Sequence, residues 1–405
     1  MCNMYSIPAT PYFVIKKSIL DEGILELKEA LSEYWNNYIV GYSYKTNSLQ
    51  WVIRYMKEQG FYAEVVSEDE YDLARSIGYV GSIIYNGPVK GKTSFFEALL
   101  NKNIVNIDSK YEIDWIKEFQ KEKPDETIEL GVRINFDIER ACEGETTTGT
   151  EGGRFGFSYE TGEAYRVIEE INAIPNVSVV GLHLHCSSKT RSLNIYKAIA
   201  QMACTIKRET KLEFQYVDVG GGFFGGLANK PHYADYMKVI AEELKKEYDV
   251  RETKLIVEPG TSLICAPIDF VTSVLDVKET NRNRFVITDG SRINIDPLMS
   301  KKSYFYHIEY QPESEQRKVL EKQVISGFTC MEHDRLFELR DDKELLRGDR
   351  IIYEKVGAYT ICLSPLFIQY FPVVYLEDGN RLEVVREKWN VEYYKQGSVE
   401  RGIGK

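Results

Sequence analysis

Short apolar runs alternate with amphipathic stretches through the first two thirds of the chain. Several runs are rich in Val and Ile with little polar alternation, as parallel strands covered on both faces should be. The eight runs are YIVGYSY (38–44), FYAEVV (61–66), SIIYN (82–86), NIVNID (103–108), ELGVRIN (129–135), SVVGLHLHC (178–186), FQYVDVG (214–220) and KLIVE (254–258). Helix-like segments such as 67–78, 109–122 and 233–249 lie between them. This alternation predicts a (β/α)8 barrel over 25–262, with an open doubly wound sheet as the structural alternative.

The pattern changes after residue 262, where short strands with polar turns replace the long helices. These segments are FVTSVLDVKE, RFVITDG, KQVISGF, DRIIYEKVGAY and FPVVYLEDGNRLEVV. They predict an all-β domain over 263–405, and residues 1–24 are assigned to it because YFVIKK near the start is expected to pair with its strands. The predicted fold class is therefore α/β, a TIM-like barrel followed by a C-terminal all-β domain.

Composition excludes some partners and favours one compartment. The chain has 405 residues, of which 51 are basic and 62 acidic, so its net charge of −11 argues against nucleic acid or an anionic membrane as the main partner. No apolar run approaches the roughly 20 residues of a membrane helix, and MCNMYSIPATPYF lacks the pattern of a signal peptide. Seven scattered cysteines without a C-x-x-C motif indicate reduced thiols, so we expect a cytoplasmic protein.

Ionisable residues and glycines follow the predicted strands at one end of the barrel. In a (β/α)8 barrel the C-terminal strand ends converge on a single site. The residues at these ends are Lys45, Glu64, Asn86, Asp108, Arg133, Asn135, His183, His185, Asp218, Gly220–Gly222 and Glu258–Thr261. We therefore expect the active site at this mouth. The loop CEGETTTGTEGG (142–153) belongs to the same face, where it is either a mobile lid or a disordered surface loop.

The segment VDVGGGFFGG matches the spacing G-x-G-x-x-G, which raises the possibility of a dinucleotide fold. Pro231 and seven residues separate Gly225 from the next predicted helix, whereas a dinucleotide motif opens tightly onto its helix. Consecutive glycines also expose backbone N–H groups that suit one phosphate. We favour phosphate binding over a dinucleotide site and over a simple tight turn.

His183 and His185 in GLHLHC point the same way because strand side chains alternate with a period of two. Together with Asp218 or Glu258 they could hold a metal, but further histidines are missing from the strand ends, so no metal is predicted. The alternative use of an imidazole here is to stack on an aromatic cofactor, which we assign to His185. For His183 we expect a hydrogen-bonded core histidine.

Glu258 and Lys45 complete a set of groups that suits one cofactor. A buried carboxylate beside a pyridine nitrogen keeps that nitrogen protonated. Lys45 is either a solvated lysine whose stem snorkels along the surface or an amine activated by burial. An amine, a phosphate-binding turn, a stacking ring and an acid together indicate pyridoxal 5′-phosphate.

At this point the sequence resembles the fold type III (alanine-racemase-fold) decarboxylases, the group of ornithine, diaminopimelate and arginine decarboxylases. The resemblance extends along nearly the whole chain. Its motifs are TPYFVIKKSIL, YSYKTN (similar to Y-x-x-K-A-N), AEVVSEDE, GLHLHCSS (similar to H-x-H-x-G-S), VDVGGGF, VEPGT (similar to E-P-G-R), GFTCMEHD and the GAY at 357–359.

The resemblance implies a role for each matching residue. It makes Lys45 the Schiff-base lysine, with Glu64 in place of the family aspartate and His185 stacked on the cofactor ring. It assigns the other cofactor contacts to Ser188, Gly221, Gly222, Glu258, Gly260, Thr261 and Tyr359. It also implies a homodimer in which Cys330 reaches the partner's site and protonates the Cα carbanion after CO₂ leaves.

Departures from the family pattern leave the substrate open. Thr261 replaces an arginine at the phosphate, which removes one positive charge. Met331 stands where ornithine-type enzymes carry an aspartate, and Ile368 follows Phe367 where F-N-G is common. Candidate substrate residues are Met331, Glu332, Asp334 and Phe367. We predict an amino-acid decarboxylase; a racemase and a non-catalytic, decarboxylase-like regulatory protein are the alternatives.

Overall fold

A computed structural model describes residues 8–312 and 317–398 of the chain. Contacts divide the chain into two compact units, one of residues 22–263 and one that joins the residues up to Asp21 to those from Ile264 onward. The barrel range of 25–262 expected from the sequence differs from the first unit by three residues at its start and one at its end.

Eight parallel strands close into a barrel in the first unit. The first element among the described residues is β1 (Tyr12–Lys16), a strand of the second unit, and helix α1 (Lys17–Tyr34) follows it. The strands that follow are β2 (Tyr38–Ser43), β3 (Tyr62–Val65), β4 (Ile83–Tyr85), β5 (Ile104–Ile107), β6 (Ile128–Asn135), β7 (Phe157–Ser158), β8 (Val177–His183), β9 (Tyr216–Asp218) and β10 (Lys254–Val257). Pairing runs from β2 through β6 to β8, β9 and β10 and back to β2, while the short β7 only extends β6. The predicted barrel is confirmed, and the open sheet is wrong because β5 pairs with β6.

Helices connect the strands, and their first turns follow the sequence signals. They are α2 (Gln50–Glu58), α3 (Glu68–Ser76), α4 (Lys92–Leu100), α5 (Lys110–Glu122), α6 (Ile138–Ala141), α7 (Glu163–Asn172), α8 (Leu193–Thr210), α9 (Tyr233–Leu244) and α10 (Thr261–Ile264). Ser67 caps α3, and Ser109 forms a capping box with Glu112 at the start of α5. The predicted helices at 67–78 and 109–122 are confirmed by α3 and α5, and the segment 233–249 is helical only to Leu244.

Two glycines let one tyrosine cross the barrel interior. A Cβ on Gly181 would lie 2.0 Å from the ring of Tyr216, and one on Gly131 would lie 2.2 Å from its hydroxyl. Any larger residue at either position would occupy the space of the tyrosine. The buried ring of Tyr216 packs with Ile84 and Ile256, and its hydroxyl points towards polar groups nearer the barrel mouth.

The second unit is a mostly antiparallel sheet domain. Its elements after β1 are β11 (Ile268–Glu279), β12 (Arg284–Thr288), α11 (Arg292–Ile295), β13 (Phe305–Glu309), β14 (Val319–Ser326), β15 (Arg335–Lys343), β16 (Arg350–Glu354), β17 (Val373–Asp378), β18 (Arg381–Arg386) and α12 (Val391–Lys395). Strand β1 pairs antiparallel with β11 and parallel with β17, which confirms the pairing expected for YFVIKK. Phe13 packs on Phe270 across this pairing, with ring centroids 4.5 Å apart. Among the described residues, no helix combines the length and the apolar character that crossing a membrane requires.

Candidate active site

Lys45 lies where β2 ends, in a single 3-10 turn from Tyr44 to Thr46. Its Nζ is 2.7 Å from Oε2 of Glu64 on the neighbouring strand β3. The lysine side chain is 40% exposed, whereas that of Glu64 is only 1% exposed. A buried carboxylate therefore holds a lysine amine at the wall of the cavity, which is not the arrangement of a snorkelling surface residue.

Asn86 connects the two carboxylates of the mouth. Its Nδ2 donates to Oε1 of Glu64 at 3.1 Å and to Oε1 of Glu258 at 2.5 Å. Its Oδ1 accepts from Nδ2 of Asn106 at 2.8 Å, and Oδ1 of Asn106 accepts from the hydroxyl of Tyr216 at 2.9 Å. Because the hydroxyl of Tyr216 donates to Asn106, the N–H groups of Asn106 face Asn86, and those of Asn86 face the two carboxylates.

The sequence pattern identified Asn86 at a strand end but did not identify Asn106 or Tyr216 as site residues. Asn106 is a polar residue within the apolar run NIVNID, and it is 1% exposed. A buried amide in a strand requires hydrogen-bond partners, so an asparagine inside an apolar strand indicates a buried polar network.

Glu258 shares a buried cluster with His183 and Asp218. His183 Nε2 lies 3.7 Å from Oε2 of Glu258, too far for a hydrogen bond. Burial raises the pKa of Asp218 well above its usual value, and the Glu258 carboxylate raises it further. Burial opposes the ionised form of Glu258 as well, but His183, Lys45 and Asp218 together outweigh burial and hold the pKa of this carboxyl below its usual range.

The expectation of a hydrogen-bonded His183 is only half met. The residue is 2% exposed, but neither ring nitrogen has a hydrogen bond within the described part of the chain. One ligand atom from each of His183, Asp218 and Glu258 lies within 4.8 Å of the others, as a metal site would require. The expectation that no metal binds at this cluster stays a prediction.

His185 presents a neutral ring to the cavity. Its Nδ1 accepts a hydrogen bond from the backbone N–H of Gly221 at 3.3 Å. Burial and, secondarily, the charge of Arg133 lower the pKa of His185 to about 3. An uncharged imidazole with its orientation fixed by the backbone is suited to stacking on a flat, electron-poor ring.

The glycine turn after β9, Gly220–Gly222, packs directly against neighbouring backbone and side chains. Gly220 and Gly222 have φ values of +70° and +93°, and a Cβ on Gly221 would lie 2.0 Å from the carbonyl oxygen of Glu258. A Cβ on Gly260 would lie 2.1 Å from Oγ1 of Thr46. The dinucleotide alternative is wrong, because this turn belongs to a closed barrel and the next helix begins only at Tyr233.

The loop that begins at Cys142 is ordered and forms one wall of the mouth. It pairs with the loop after β8 through a bridge between Thr146 and Ser188, and the backbone N–H of Lys189 donates to Glu145 at 2.8 Å. The prediction of a disordered surface loop is therefore wrong, and a lid that moves stays a prediction. Ser188 Oγ accepts from the backbone N–H groups of Thr190 and Arg191.

A cavity of about 480 Å³ occupies the mouth. Its polar lining includes the predicted residues Lys45, Glu64, Asn86, Arg133, His185 and Glu258. This volume suits a small ligand with a cofactor-sized ring. The amine of Lys45, the neutral ring of His185 and the buried carboxylate of Glu258 together fit pyridoxal 5′-phosphate.

The remaining predicted residues belong to the sheet domain. Cys330 and Glu332 are exposed in the turn after β14, next to the half-buried Met331. Tyr359 and Phe367 are 42% and 40% exposed. Asp334 is buried, and its carboxylate accepts from the donor groups of Ser291, Arg292 and Thr329, so it stabilises this turn.

Both units match one protein family. Residues 22–265 match the pyridoxal binding domain of the pyridoxal-dependent decarboxylases, and residues 264–357 match the C-terminal sheet domain. The chain therefore belongs to the pyridoxal-dependent decarboxylases. It is an amino-acid decarboxylase, and its cofactor is pyridoxal 5′-phosphate.

Individual relatives agree with this assignment. The diaminopimelate decarboxylase of Aquifex aeolicus is 23% identical over 406 residues, which cover 96% of this chain and 92% of the relative. The L-glutamyl-(BtrI acyl-carrier protein) decarboxylase of Niallia circulans is 26% identical over 94% of this chain and 91% of its own length. A crystal structure of diaminopimelate decarboxylase from M. jannaschii shares the fold, with a TM-score of 0.85, 24% identity and coverage of 97% of this chain and 93% of that one.

Proposed function

We propose that the enzyme removes the α-carboxylate of an amino acid at the barrel mouth, with Lys45 as the residue that holds the cofactor covalently. The observation that carries this proposal is the lysine amine 2.7 Å from the buried Glu64, which Asn86 links to Glu258. A lysine so placed can exchange its bond to the cofactor for one from a substrate amine.

The cofactor, when bound, supplies the electron sink that stabilises the carbanion left after CO₂ departs. Glu258 would hold a proton on the ring nitrogen of the cofactor, because its own low pKa keeps it ionised and Asn86 donates to it. His185 would support the face of the ring. Ser188, Gly221, Gly222, Gly260, Thr261 and, from the sheet domain, Tyr359 are the proposed phosphate ligands.

Cys330 is the proposed proton donor to Cα, and it acts in the site of a partner subunit. The exposed position of Cys330 supports a role outside its own domain. The exposed side chains of Tyr359, Leu363, Phe367 and Ile368 support a surface that a second copy covers. The functional enzyme would then be a homodimer with two composite sites.

The proposed substrate is an amino acid with an extended, polar side chain, and diaminopimelate is the first candidate because several relatives act on it. Glu332 would bind the distal amine from the position next to Met331, with Phe367 packing on the side chain and Asp334 holding the turn. A glutamyl group is the second candidate, since one relative at 26% identity decarboxylates it on a carrier protein. We also place the enzyme in the cytoplasm, a proposal that the scattered cysteines without a C-x-x-C motif support.

CO₂ release from a panel of amino acids tests the proposed function. The panel contains meso-diaminopimelate, lysine, ornithine, arginine and glutamate, each with the cofactor-loaded enzyme. We expect one of the diamino acids to release CO₂, and Lys45→Ala to reduce the rate to background. Lys92→Ala is the matched control, because Lys92 pairs with Glu118 on the surface. Equal rates in wild type and Lys45→Ala would refute the assignment of Lys45.

A further inference from the structure

The proposed phosphate cradle consists of Ser188 and the glycine turn Gly220–Gly222, and none of these residues carries a charge. Thr261 follows Glu258-Pro259-Gly260 at the position where the resembled decarboxylases carry an arginine. A phosphate dianion is bound most strongly where a positive charge supplements backbone N–H donors. We therefore expect another residue of this chain to supply that charge.

Hydrogen bonds hold Arg191 beside the cradle through both its backbone and its side chain. Its backbone N–H donates to Oγ of Ser188 at 2.8 Å, and its carbonyl accepts from the hydroxyl of Tyr236 at 2.6 Å. Its guanidinium donates through Nη1 to the carbonyl oxygen of Phe223, the residue directly after the three glycines, at 3.4 Å. The backbone of Arg191 has a φ of +51°, a strained value that these contacts maintain.

Arg191 forms no ion pair with a carboxylate among residues 8–312 and 317–398, although this acidic chain carries many carboxylates. Its guanidinium lies 5.3 Å from the ring centroid of Phe224 and is half-buried. Tyr196, whose hydroxyl donates to the carbonyl of Gly221 at 3.0 Å, lies within the electrostatic reach of the same guanidinium.

We propose that Arg191 supplies the positive charge that binds the cofactor phosphate, in place of the arginine that Thr261 has replaced. Arginine suits this role because its planar group can donate to phosphate while it also holds the Phe223 carbonyl. This inference rests on the proposed phosphate cradle of Ser188 and Gly220–Gly222.

A purely structural role is the competing explanation, because Arg191 also packs on the loop at Phe223 and Phe224. Lys230 offers a matched control. Its Nζ lies 5.2 Å from the same Phe224 ring, but it makes no hydrogen bond to the glycine turn in the described residues. A role in packing would affect both residues, whereas a role in phosphate binding is specific to Arg191.

The test compares the affinities of two ligands that differ only in the phosphate. The full-length holoenzyme is stripped of cofactor with hydroxylamine, and the apoenzyme is titrated with pyridoxal 5′-phosphate and with pyridoxal, followed by their absorption. We expect Arg191→Gln to weaken pyridoxal 5′-phosphate about 10- to 100-fold, the value of one charge-assisted hydrogen bond, and to leave pyridoxal unchanged. Lys230→Gln should change neither affinity. Adding Thr261→Arg to Arg191→Gln should restore the phosphate-dependent part.

Each remaining outcome overturns the inference in a distinguishable way. Equal losses for both ligands would assign Arg191 to packing, and no loss would exclude it from the phosphate site. A wild-type apoenzyme that binds neither ligand would refute the cofactor site and the proposed function together. Normal cofactor binding by wild type with an unaffected Arg191→Gln variant would refute only the role of Arg191.

Discussion

Asn86 donates both hydrogens of its amide to carboxylates that approach from different strands. Glu64 and Glu258 would repel each other across the mouth if nothing lay between them. The relay from Tyr216 through Asn106 fixes the amide so that its oxygen faces away from both carboxylates. We therefore expect Asn86 to be a positioning residue that holds the Glu258 carboxylate in place.

Replacing Asn86 by Leu should raise the pKa of Glu258, because the carboxylate loses a donor at 2.5 Å and gains no other. The loss of a hydrogen bond to a charged group costs about 1.5–3 kcal/mol, so we expect kcat to fall at least about 10-fold. The pH at which the absorption of the bound cofactor changes should also shift. Asn101→Leu, at the surface end of α4, is the control. An unchanged pH dependence would show that Asn86 does not act on Glu258.

His185 should make the protein less stable in acid. The folded-state pKa is about 3, whereas an unfolded histidine has a pKa near 6.5. Between these values the unfolded state binds more protons, so stability falls as the pH drops from 6.5 towards 3. His185→Gln should remove a slope of up to about 1.4 kcal/mol per pH unit in this window. Denaturant unfolding at several pH values measures it, and an identical slope in both proteins would contradict the neutral buried ring.

At the scale of elements, a buried ion pair joins the loops behind the mouth. Lys90 and Glu112 are both 0% exposed, with Nζ and Oε1 2.6 Å apart. Lys90 also donates to the carbonyls of Gly87 and Asn106, while Glu112 accepts from the backbone N–H groups of Asp108 and Ser109. The pair thereby connects the turn after β4, the end of β5 and the start of α5.

Removing one partner of this pair should be worse than removing both. Lys90→Met leaves the Glu112 carboxylate buried without its cation, which costs about 3–5 kcal/mol. The double variant Lys90→Met/Glu112→Gln should recover part of that loss. Chemical denaturation of the four proteins completes a double-mutant cycle. Additive losses would show that the two residues stabilise the loops independently.

The sequence predicted the elements that depend on local patterns. The amphipathic segments 67–78 and 109–122 became α3 and α5, and the apolar runs became the barrel strands. It did not predict the bridge between Thr146 and Ser188, because that contact joins loops more than forty residues apart and has no local signal. For the same reason, the sequence did not predict that Tyr216 passes through the gaps at Gly131 and Gly181.

At the scale of the whole molecule, the class of protein could be predicted because the strand ends concentrate its chemistry. The residues Lys45, Glu64, Asn86, His185 and Glu258 line one cavity, as their positions after successive strands implied. The substrate could not be predicted, since Cys330, Met331 and Glu332 lie in the other domain. In the proposed homodimer their contribution would depend on the partner subunit, which no pattern within one chain describes.

Mixing two inactive variants tests the composite sites. Lys45→Ala and Cys330→Ala damage different halves of the proposed site, so a mixed dimer contains one intact site. Random pairing of equal amounts should recover about 25% of the wild-type activity, because half of the dimers are mixed and each has one working site. Co-purification of two differently tagged chains verifies that mixed dimers form. If they form without activity, Lys45 and Cys330 do not complete one site across subunits.

The central claim, that Lys45 holds the cofactor, is tested most directly by trapping the bond between them. Borohydride reduction of the holoenzyme makes that bond permanent, and mass spectrometry of the peptides locates the added cofactor. We predict that the label lies on Lys45 alone and that Lys45→Ala carries none. A label on another lysine, or a labelled Lys45→Ala variant, would contradict the account.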